Sequence, residues 1–322
     1  MSIKESVLKK LAESECFISG QELAESLNVS RNAVWKAVKS LESDGYIIDA
    51  VNNKGYRLKN SYGILSEKII QNQLNTIEYG RKIIVLSEVD STNNYAKKLA
   101  TSGAVNGTAV ISDYQTAGKG RMGRSFFSPK GAGLYMSIII RPDIDMLSAQ
   151  LITSCTAVAV AEAIEKLCSA EIKIKWVNDL FLNGKKLCGI LTEASMSFEE
   201  KKLEYAVIGI GINIRTSSDL PEELRDIVTS LEQETGKTVD RNSLCSEILN
   251  SLEKHISELE SRKFMDEYRK RSFISGKQVE ITANGKSKQG KAIGIDDNAN
   301  LIVRFDDGSE TTVNSGEARI IK

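Results

Sequence analysis

A chain of 322 residues is about twice a typical domain, so two or three domains are expected. Hydrophobic residues make up 41% and charged residues 27%, which excludes a disordered chain. Lys+Arg and Asp+Glu both total 43, so bulk attraction to nucleic acid or membrane is excluded and any such binding needs a local patch.

Residues 1–62 read as a winged helix-turn-helix. Ser19-Gly-Gln-Glu22 is a capping-box pattern opening a short helix. Asn28-Val29-Ser30 makes a turn, and Ser30 caps a helix predicted over Arg31 to Ser43. On that helix Val34, Ala37, Val38 and Leu41 form one apolar stripe, with Asn32, Lys36 and Lys39 opposite. After Gly45, YIIDAV and YRLK flank the turn Asn52-Asn53-Lys54-Gly55, a hairpin signal. Residues 1–30 carry three basic and five acidic side chains, whereas 31–59 carry six basic and three acidic. The positive side thus falls on the second helix and the wing, the elements that enter a major groove and touch its backbone. Ser30, Arg31, Asn32, Trp35, Lys36, Lys39, Lys54 and Arg57 are the DNA-binding candidates. The plainer reading is a solvated helix face in a small protein-interaction domain.

Asn60-Ser-Tyr-Gly63 reads as a linker. Over 63–272, strands are predicted at 82–86, 108–113, 134–140, 172–176 and 205–214, with one long helix from 147 to 167. Asn183-Gly184 reads as a two-residue hairpin turn. Mixed pairing around helices makes this an α+β domain. Residues 273–322 hold five short strand-like runs, separated by Asn284-Gly285, Asp296-Asp297-Asn298, Asp307-Gly308 and Asn314-Ser315-Gly316. They read as a small SH3-like β-barrel with balanced charge.

Several chemistries are excluded. The longest uncharged stretch, Met146 to Ala161, is too short and polar to span a bilayer. The N-terminal run MSIKESVLKKLAESE has no apolar signal-peptide core, so a cytoplasmic chain is expected. Five scattered cysteines without a C-x-x-C pair indicate neither a disulfide framework nor zinc. The single histidine, His255, sits in a helical run without a nucleophile motif, so histidine-based catalysis is not expected. Gly118-Lys119-Gly120-Arg121-Met122-Gly123 satisfies G-x-G-x-x-G, but Pro129, Gly131 and Gly133 follow where a dinucleotide fold needs a helix. Gly236-Lys237-Thr238 and Gly285-Lys286-Ser287 lack the earlier glycine of a phosphate-binding P-loop. What remains is a flexible cationic loop, with four positive and no negative charges over 118–130.

Taken together, Asp90-Ser91-Thr92-Asn93, the loop GKGRMGR, Lys175-Trp176-Val177-Asn178-Asp179, Lys186-Leu-Cys-Gly189-Ile-Leu191 and Gly209-Ile-Gly211-Ile-Asn213 resemble the biotin–protein ligases. With the winged helix, the resemblance is to the bifunctional type that also represses the biotin operon. It covers nearly the whole chain, in the family's order. It implies that biotin and MgATP give biotinyl-5′-AMP and pyrophosphate, and that biotin then passes to a lysine of a biotin carboxyl carrier protein. It also implies operator DNA as a partner and a homodimer when the adenylate is bound. No membrane partner is expected.

The resemblance assigns roles residue by residue. Ser91, Thr92, Asn93 and Gln115 match biotin-binding positions, although D-S-T-N alone reads as a helix cap. Gly118, Lys119, Gly120, Arg121 and Arg124 match the loop that closes over the adenylate, with both arginines offsetting charge on phosphate. Lys186 matches the lysine at the biotin carboxylate, which the spacing alone does not distinguish from Lys185. Asn178 and Asp179 match polar positions near phosphates and metal, Asp179 being the one to arrange the attacking lysine. Gly189 and Asn213 belong to the matched binding motifs. Lys186, Arg121 and Asp179 are therefore the catalytic candidates; metal ligands are not assigned.

Three departures stand out. Lys119 replaces an arginine and loses its planar fork, Val177 stands where proline is common, and Phe126 takes a position often held by an adenine-covering tryptophan. Trp176 reads as core. Two other readings compete: a regulator that senses a ligand without catalysis, and a lipoate ligase. The cationic loop with Lys186 disfavours the first, and the DNA-binding head the second. The strand LEYAVIGIGINIR is expected to offer an edge for dimer pairing.

Overall fold

The computed structural model describes residues 2–14, 16–43, 46, 48–58, 64–197, 202–283 and 286–321. Gly45, the linker Asn60–Gly63 with the expected boundary at 62/63, and the turn Asn284-Gly285 lie outside the described residues. The chain forms two compact units, Met1–Gln73 with Asp240–Ser246, and Leu74–Val239 with Glu247–Lys322.

In the first unit, α1 (Ile3–Ala12), α2 (Gly20–Leu27) and α3 (Arg31–Ser43) precede a hairpin of β1 (Ile48–Val51) and β2 (Gly55–Leu58), then α4 (Glu67–Asn72). A reciprocal box of Ser2 and Glu5 caps α1. At α2 only the serine half of the predicted box is made, with Ser19 Oγ accepting from the Glu22 amide at 3.0 Å. Asn28, at φ 52°, stops α2, and Ser30 Oγ accepts from the Ala33 amide to start α3. The α3 stripe Val34, Ala37, Val38 and Leu41 is buried against Val7, Leu11 and Leu23. Tyr56 exchanges two 2.9 Å hydrogen bonds with Ile18, which ties the wing to the chain entering α2.

The second unit is built on a seven-stranded mixed sheet. Its strands are β3 (Ile83–Leu86), β4 (Ala109–Ser112), β5 (Gly133–Ile140), β6 (Lys173–Lys175), β7 (Asp179–Leu182), β8 (Lys185–Ser197) and β9 (Lys202–Asn213). They lie in the order β3-β4-β5-β9-β8-β7-β6, with only β3 and β4 parallel. Helix α5 (Thr92–Thr101) packs Ala96 and Ala100 onto Val110, Ile139 and Val207. The long helix expected over 147–167 is instead two, α6 (Met146–Ala149) and α7 (Ile152–Leu167), separated at Gln150-Leu151. The later segment, α7, is buried around most of its circumference, with Ser154 and Thr156 buried beside the apolar run Ala157–Ala161. Asn183 and Gly184, at φ 49° and 81°, make the predicted tight turn between β7 and β8.

A short helix α8 (Leu231–Thr235) follows, then the 17-residue α9 (Arg241–Ser257), which begins in the first unit's Asp240–Ser246 segment, and α10 (Phe264–Lys270). The five runs of the C-terminal segment form one antiparallel sheet: β10 (Gln278–Ala283), β11 (Lys286–Ile295), β12 (Leu301–Arg304), β13 (Glu310–Val313) and β14 (Glu317–Ile320). Their order is β13-β12-β11-β10-β14. Among the described residues, no helix is long and apolar enough to cross a membrane.

The expectation of a dimer edge on LEYAVIGIGINIR is corrected here. Strand β9 is central, paired with β8 along its length and with β5 from Ala206 to Asn213. Its outer end is covered as well, since the Leu203 amide donates to the Ile144 carbonyl. A strand with both sides paired has no backbone groups left for a partner.

Candidate active site and nucleic-acid surface

One row of directly opposed residues forms the floor of a cleft. Tyr135 on β5 faces Gly211 on β9, Gly211 faces Gly189 on β8, Gly189 faces Asp179 on β7, and Asp179 faces Lys175 on β6. The glycines leave backbone bare where a side chain would stand. A Cβ on Gly211 would lie 2.6 Å from the Phe126 ring, and one on Gly209 would lie 2.1 Å from Asn93 Oδ1. Phe126 therefore rests on the floor, edge-on to Tyr135 at 6.4 Å.

At one end stands a buried network of neutral groups. Gln115 Oε1 accepts from the Thr92 amide at 2.9 Å and from its hydroxyl at 3.1 Å, while Gln115 Nε2 donates to Ser128 Oγ. Ser137 Oγ lies 2.8 Å from Thr92 Oγ1 and donates to Asn93 Oδ1 at 2.6 Å. Asn93 Nδ2 donates in turn to the Leu191 carbonyl and to Glu193, which also pairs with Lys97. Burial opposes ionisation of Glu193, but the hydrogen bonds from Lys97 and Asn93 outweigh it and hold the carboxyl below the usual range. Ser91 is the N-cap residue of α5 yet makes no side-chain cap bond, so the helix-cap reading of D-S-T-N accounts for its backbone only.

Cations gather at the other end. A bulge at Leu187 on β8, opposite Leu180 and Phe181, shifts the β7–β8 register, so that Lys186 comes to the same face as Gly189. Lys186 Nζ is 2.8 Å from Asp179 Oδ1, whereas Lys185 Nζ reaches the Arg225 carbonyl, away from the cleft. The loop between β4 and β5, expected to be flexible, is a tied turn. Gly120 N donates to Arg124 O at 2.7 Å, with Met122 and Gly123 both left-handed at the tip. Arg121 donates to Asn178 Oδ1 and to the Gly316 carbonyl, Lys119 to Asn94, and Arg124 by two bonds to Glu317.

Hydrogen bonds from Arg124, reinforced by its charge, hold the Glu317 carboxyl below the usual glutamate range. A depressed folded pKa stabilises the tether above the unfolded value, about pH 4.3, and the gain is lost as pH falls through the folded pKa. Both side chains are well exposed, so the tether is worth ~1 kcal/mol or less. Glu317→Gln should raise tryptic cleavage after Arg124 a few-fold at neutral pH; unchanged cleavage would mean the turn holds without it.

Of the predicted residues, Ser91, Thr92, Asn93, Gln115, Lys119, Gly120, Arg121, Arg124, Phe126, Asn178, Asp179, Lys186 and Gly189 line this cleft. Gly118 and Asn213 do not. Gly118 lies beneath the loop, where a Cβ would stand 2.4 Å from the Phe126 carbonyl oxygen. Asn213 donates to the Thr229 carbonyl at 3.0 Å in a neighbouring pocket. Trp176 is buried as expected, its indole donating to the Ala299 carbonyl, although its edge reaches the cleft; the peptide bond to Val177 is cis. Sequence reasoning quoted Lys175 in a motif without giving it a role, and missed Ser137, Ser128, Glu193 and Glu317. Ser137 alone carried a signal, a lone polar residue in the apolar strand GLYMSIII.

In the first unit Arg31, Asn32, Trp35, Lys36, Lys39 and Lys54 are exposed, Trp35 by 50%. Arg31, Asn32, Trp35 and Lys39 line a groove with Asn52 and Asn53 of the wing. Ser30 serves as the α3 cap, and Lys39 pairs with Glu42. Arg57 is committed internally, to Asp49 at 2.9 Å and over the Phe17 ring.

Comparison with known proteins fits this arrangement. Residues 85–213 match the biotin/lipoate A/B protein ligase family, 4–57 an HTH domain, and 274–319 the biotin protein ligase C-terminal domain. The bifunctional ligase/repressor BirA of Bacillus spizizenii is 41% identical over 91% of this chain and 90% of its own. The chain belongs to the bifunctional biotin ligase/repressor family. The Escherichia coli member is 32% identical over 94% of both chains. A biotin protein ligase from Aquifex aeolicus, solved in complex with biotin and ATP, superposes at a TM-score of 0.63 with 27% identity. It spans 75% of this chain and 99% of its own. A lipoate-ligase assignment, weighed on sequence, is set aside by these family matches.

Proposed function

We propose that this chain activates biotin with ATP to biotinyl-5′-AMP and passes the biotinyl group to a lysine of a biotin carboxyl carrier protein. With the adenylate bound it represses biotin genes as a homodimer on operator DNA. The observation that carries the reading is a single cleft with a neutral hydrogen-bonding network at one end and a cation cluster at the other. A ureido ring needs neutral donors and acceptors; an acyl phosphate needs positive charge. The three parts 1–62, 63–272 and 273–322 are its DNA-binding, catalytic and small C-terminal domains, and the cytoplasm is its compartment.

Thr92 and Gln115 face the biotin ring, with Ser91 beside them, and Asn93 sets their geometry through Ser137. Lys186, already paired with Asp179, exchanges part of that pairing for the biotin carboxylate and orients it towards phosphorus. Arg121 and Arg124 leave Asn178, Gly316 and Glu317 for the nucleotide phosphates. Asp179 is then free to accept the hydrogen bond of the incoming lysine amine. The oxygen donors at Asn178 and Asp179 fit a magnesium ion accompanying the nucleotide, which would be held by phosphates and one or two protein oxygens. Asn178 and Asp179 would reach it, and it would neutralise phosphate charge.

Arg121→Gly should loosen retention of the adenylate without abolishing its synthesis, because it removes a guanidinium that exchanges Asn178 and Gly316 for the phosphates. Biotinylation of non-acceptor proteins in trans should rise. Retention equal to wild type would count against it.

The whole reading is tested by pyrophosphate release from ATP on adding biotin, which a pure sensor would not show. For repression, a single winged head makes few phosphate contacts and binds weakly near physiological salt, whereas two linked heads gain by effective concentration. Biotin plus ATP should therefore tighten self-association and operator binding together in sedimentation and DNA-binding experiments. If the adenylate leaves the monomer–dimer equilibrium unchanged, the coupling is wrong.

A further inference from the structure

The cations lining the cleft have partners within the protein, with one exception among the described residues. Lys186 pairs with Asp179, Arg124 with Glu317, Arg121 with Asn178 and Gly316, and Lys119 with Asn94. Lys175 makes neither a hydrogen bond nor an ion pair there; its ammonium stands 5.8 Å from the Phe181 ring centroid. Burial lowers its proton affinity, and Lys186 and Arg124 push the same way against the pull of Asp179 and Glu317. A half-buried ammonium beside two other cations is unfavourable until an anion arrives.

Its place in the sheet says which anion. Lys175, Asp179, Gly189 and Gly211 are directly opposed on four adjacent strands, so they share one face. At roughly 4.8 Å per strand, Lys175 lies about 14 Å along the floor from Gly211. The neutral network sits at the β9 end, where Asn93 presses on Gly209. Lys186, beside the reacting carboxylate, is on β8 between the two. Phosphoryl transfer places entering and leaving oxygens roughly in line across phosphorus. A carboxylate arriving from the β9 side therefore sends the leaving group towards β6.

We propose that the Lys175 ammonium binds the diphosphate leaving group of the nucleotide, an inference that rests on the adenylation reading above. A biotin carboxylate oxygen bonds to the α-phosphorus as the bond from that phosphorus to the bridging oxygen breaks. The electron pair departs with the bridging oxygen, on pyrophosphate. Lys175 stays protonated throughout and offsets the charge that builds on the departing group.

The test uses the full chain and inorganic pyrophosphate, titrated calorimetrically into wild type, Lys175→Met, Lys175→Arg and Lys173→Met. Lys173, on the same strand but paired with Glu171, lies outside the cleft and serves as control. Lys175→Met should weaken pyrophosphate binding, and its inhibition of adenylation, by about tenfold, the effect of one charge-assisted hydrogen bond. Biotin affinity should stay within about twofold, and Lys175→Arg should retain most pyrophosphate binding. The proposal is overturned if Lys175→Met binds pyrophosphate like wild type, if biotin affinity falls as far, or if Lys173→Met loses as much. Should Lys175→Met not fold, Lys175→Gln takes its place with the same expected loss, and a folded Lys175→Gln that binds pyrophosphate like wild type would overturn the assignment. A wild type that releases no pyrophosphate from ATP would sink the adenylation reading instead, while direct pyrophosphate binding would still judge Lys175.

Discussion

Lys186→Ala should lower ligation on the order of a hundredfold, since a lost charge at a developing anion costs about 3 kcal/mol in the transition state. Lys185→Ala should change it little. The two lysines are adjacent in sequence but point apart: one ammonium lies 2.8 Å from Asp179 in the cleft, the other meets the Arg225 carbonyl outside it. The mutation also strands Asp179, whose Oδ1 is buried and would lose its counter-ion. Steady-state biotinylation of a carrier domain reads both variants, and single-turnover adenylation locates the loss. Equal losses would show that the bulge at Leu187 does not set the face of Lys186 as described.

The second large effect is expected at Gly209→Ala. The added methyl would sit 2.1 Å from Asn93 Oδ1, and the amide has nowhere to retreat. Ser137 holds its oxygen at 2.6 Å, and Glu193 and the Leu191 carbonyl hold its nitrogen. Either the strand bulges or those bonds break, and overpacking with loss of buried hydrogen bonds costs about 3 kcal/mol. Biotin affinity should fall by about two orders of magnitude, with thermal unfolding shifted downward. If the melting temperature drops while biotin binds as before, Asn93 supports the fold and not the ligand.

Much of this was legible in the residues. The α3 stripe, the Ser30 cap and the Asn183-Gly184 turn follow from local periodicity and turn chemistry, and the structure has each of them. The five spaced motifs named the cleft before its walls were visible. What was not legible depends on distant pairing. Nothing local marks Glu317 as the partner of Arg124, since the two are 193 residues apart. Nor does an apolar strand announce whether one of its sides is open, which is why β9 read as an edge. Lys185 and Lys186 were inseparable by spacing because a bulge, not strand alternation, decides which one turns inward.

The glycine floor bears on how the chain could evade an inhibitor. Escape from a tight-binding compound usually comes through a side chain that can be enlarged, shortened or recharged at small cost. A compound lying flat over positions 189, 209 and 211 would meet backbone there. A replacement at 209 collides with Asn93, and one at 211 collides with Phe126. One at 189 stands within 3.5 Å of both Phe126 and the Lys186 ammonium. Each route to resistance on that surface passes through a group that the proposed chemistry uses, so a mutant that sheds such a compound should also lose biotin ligation.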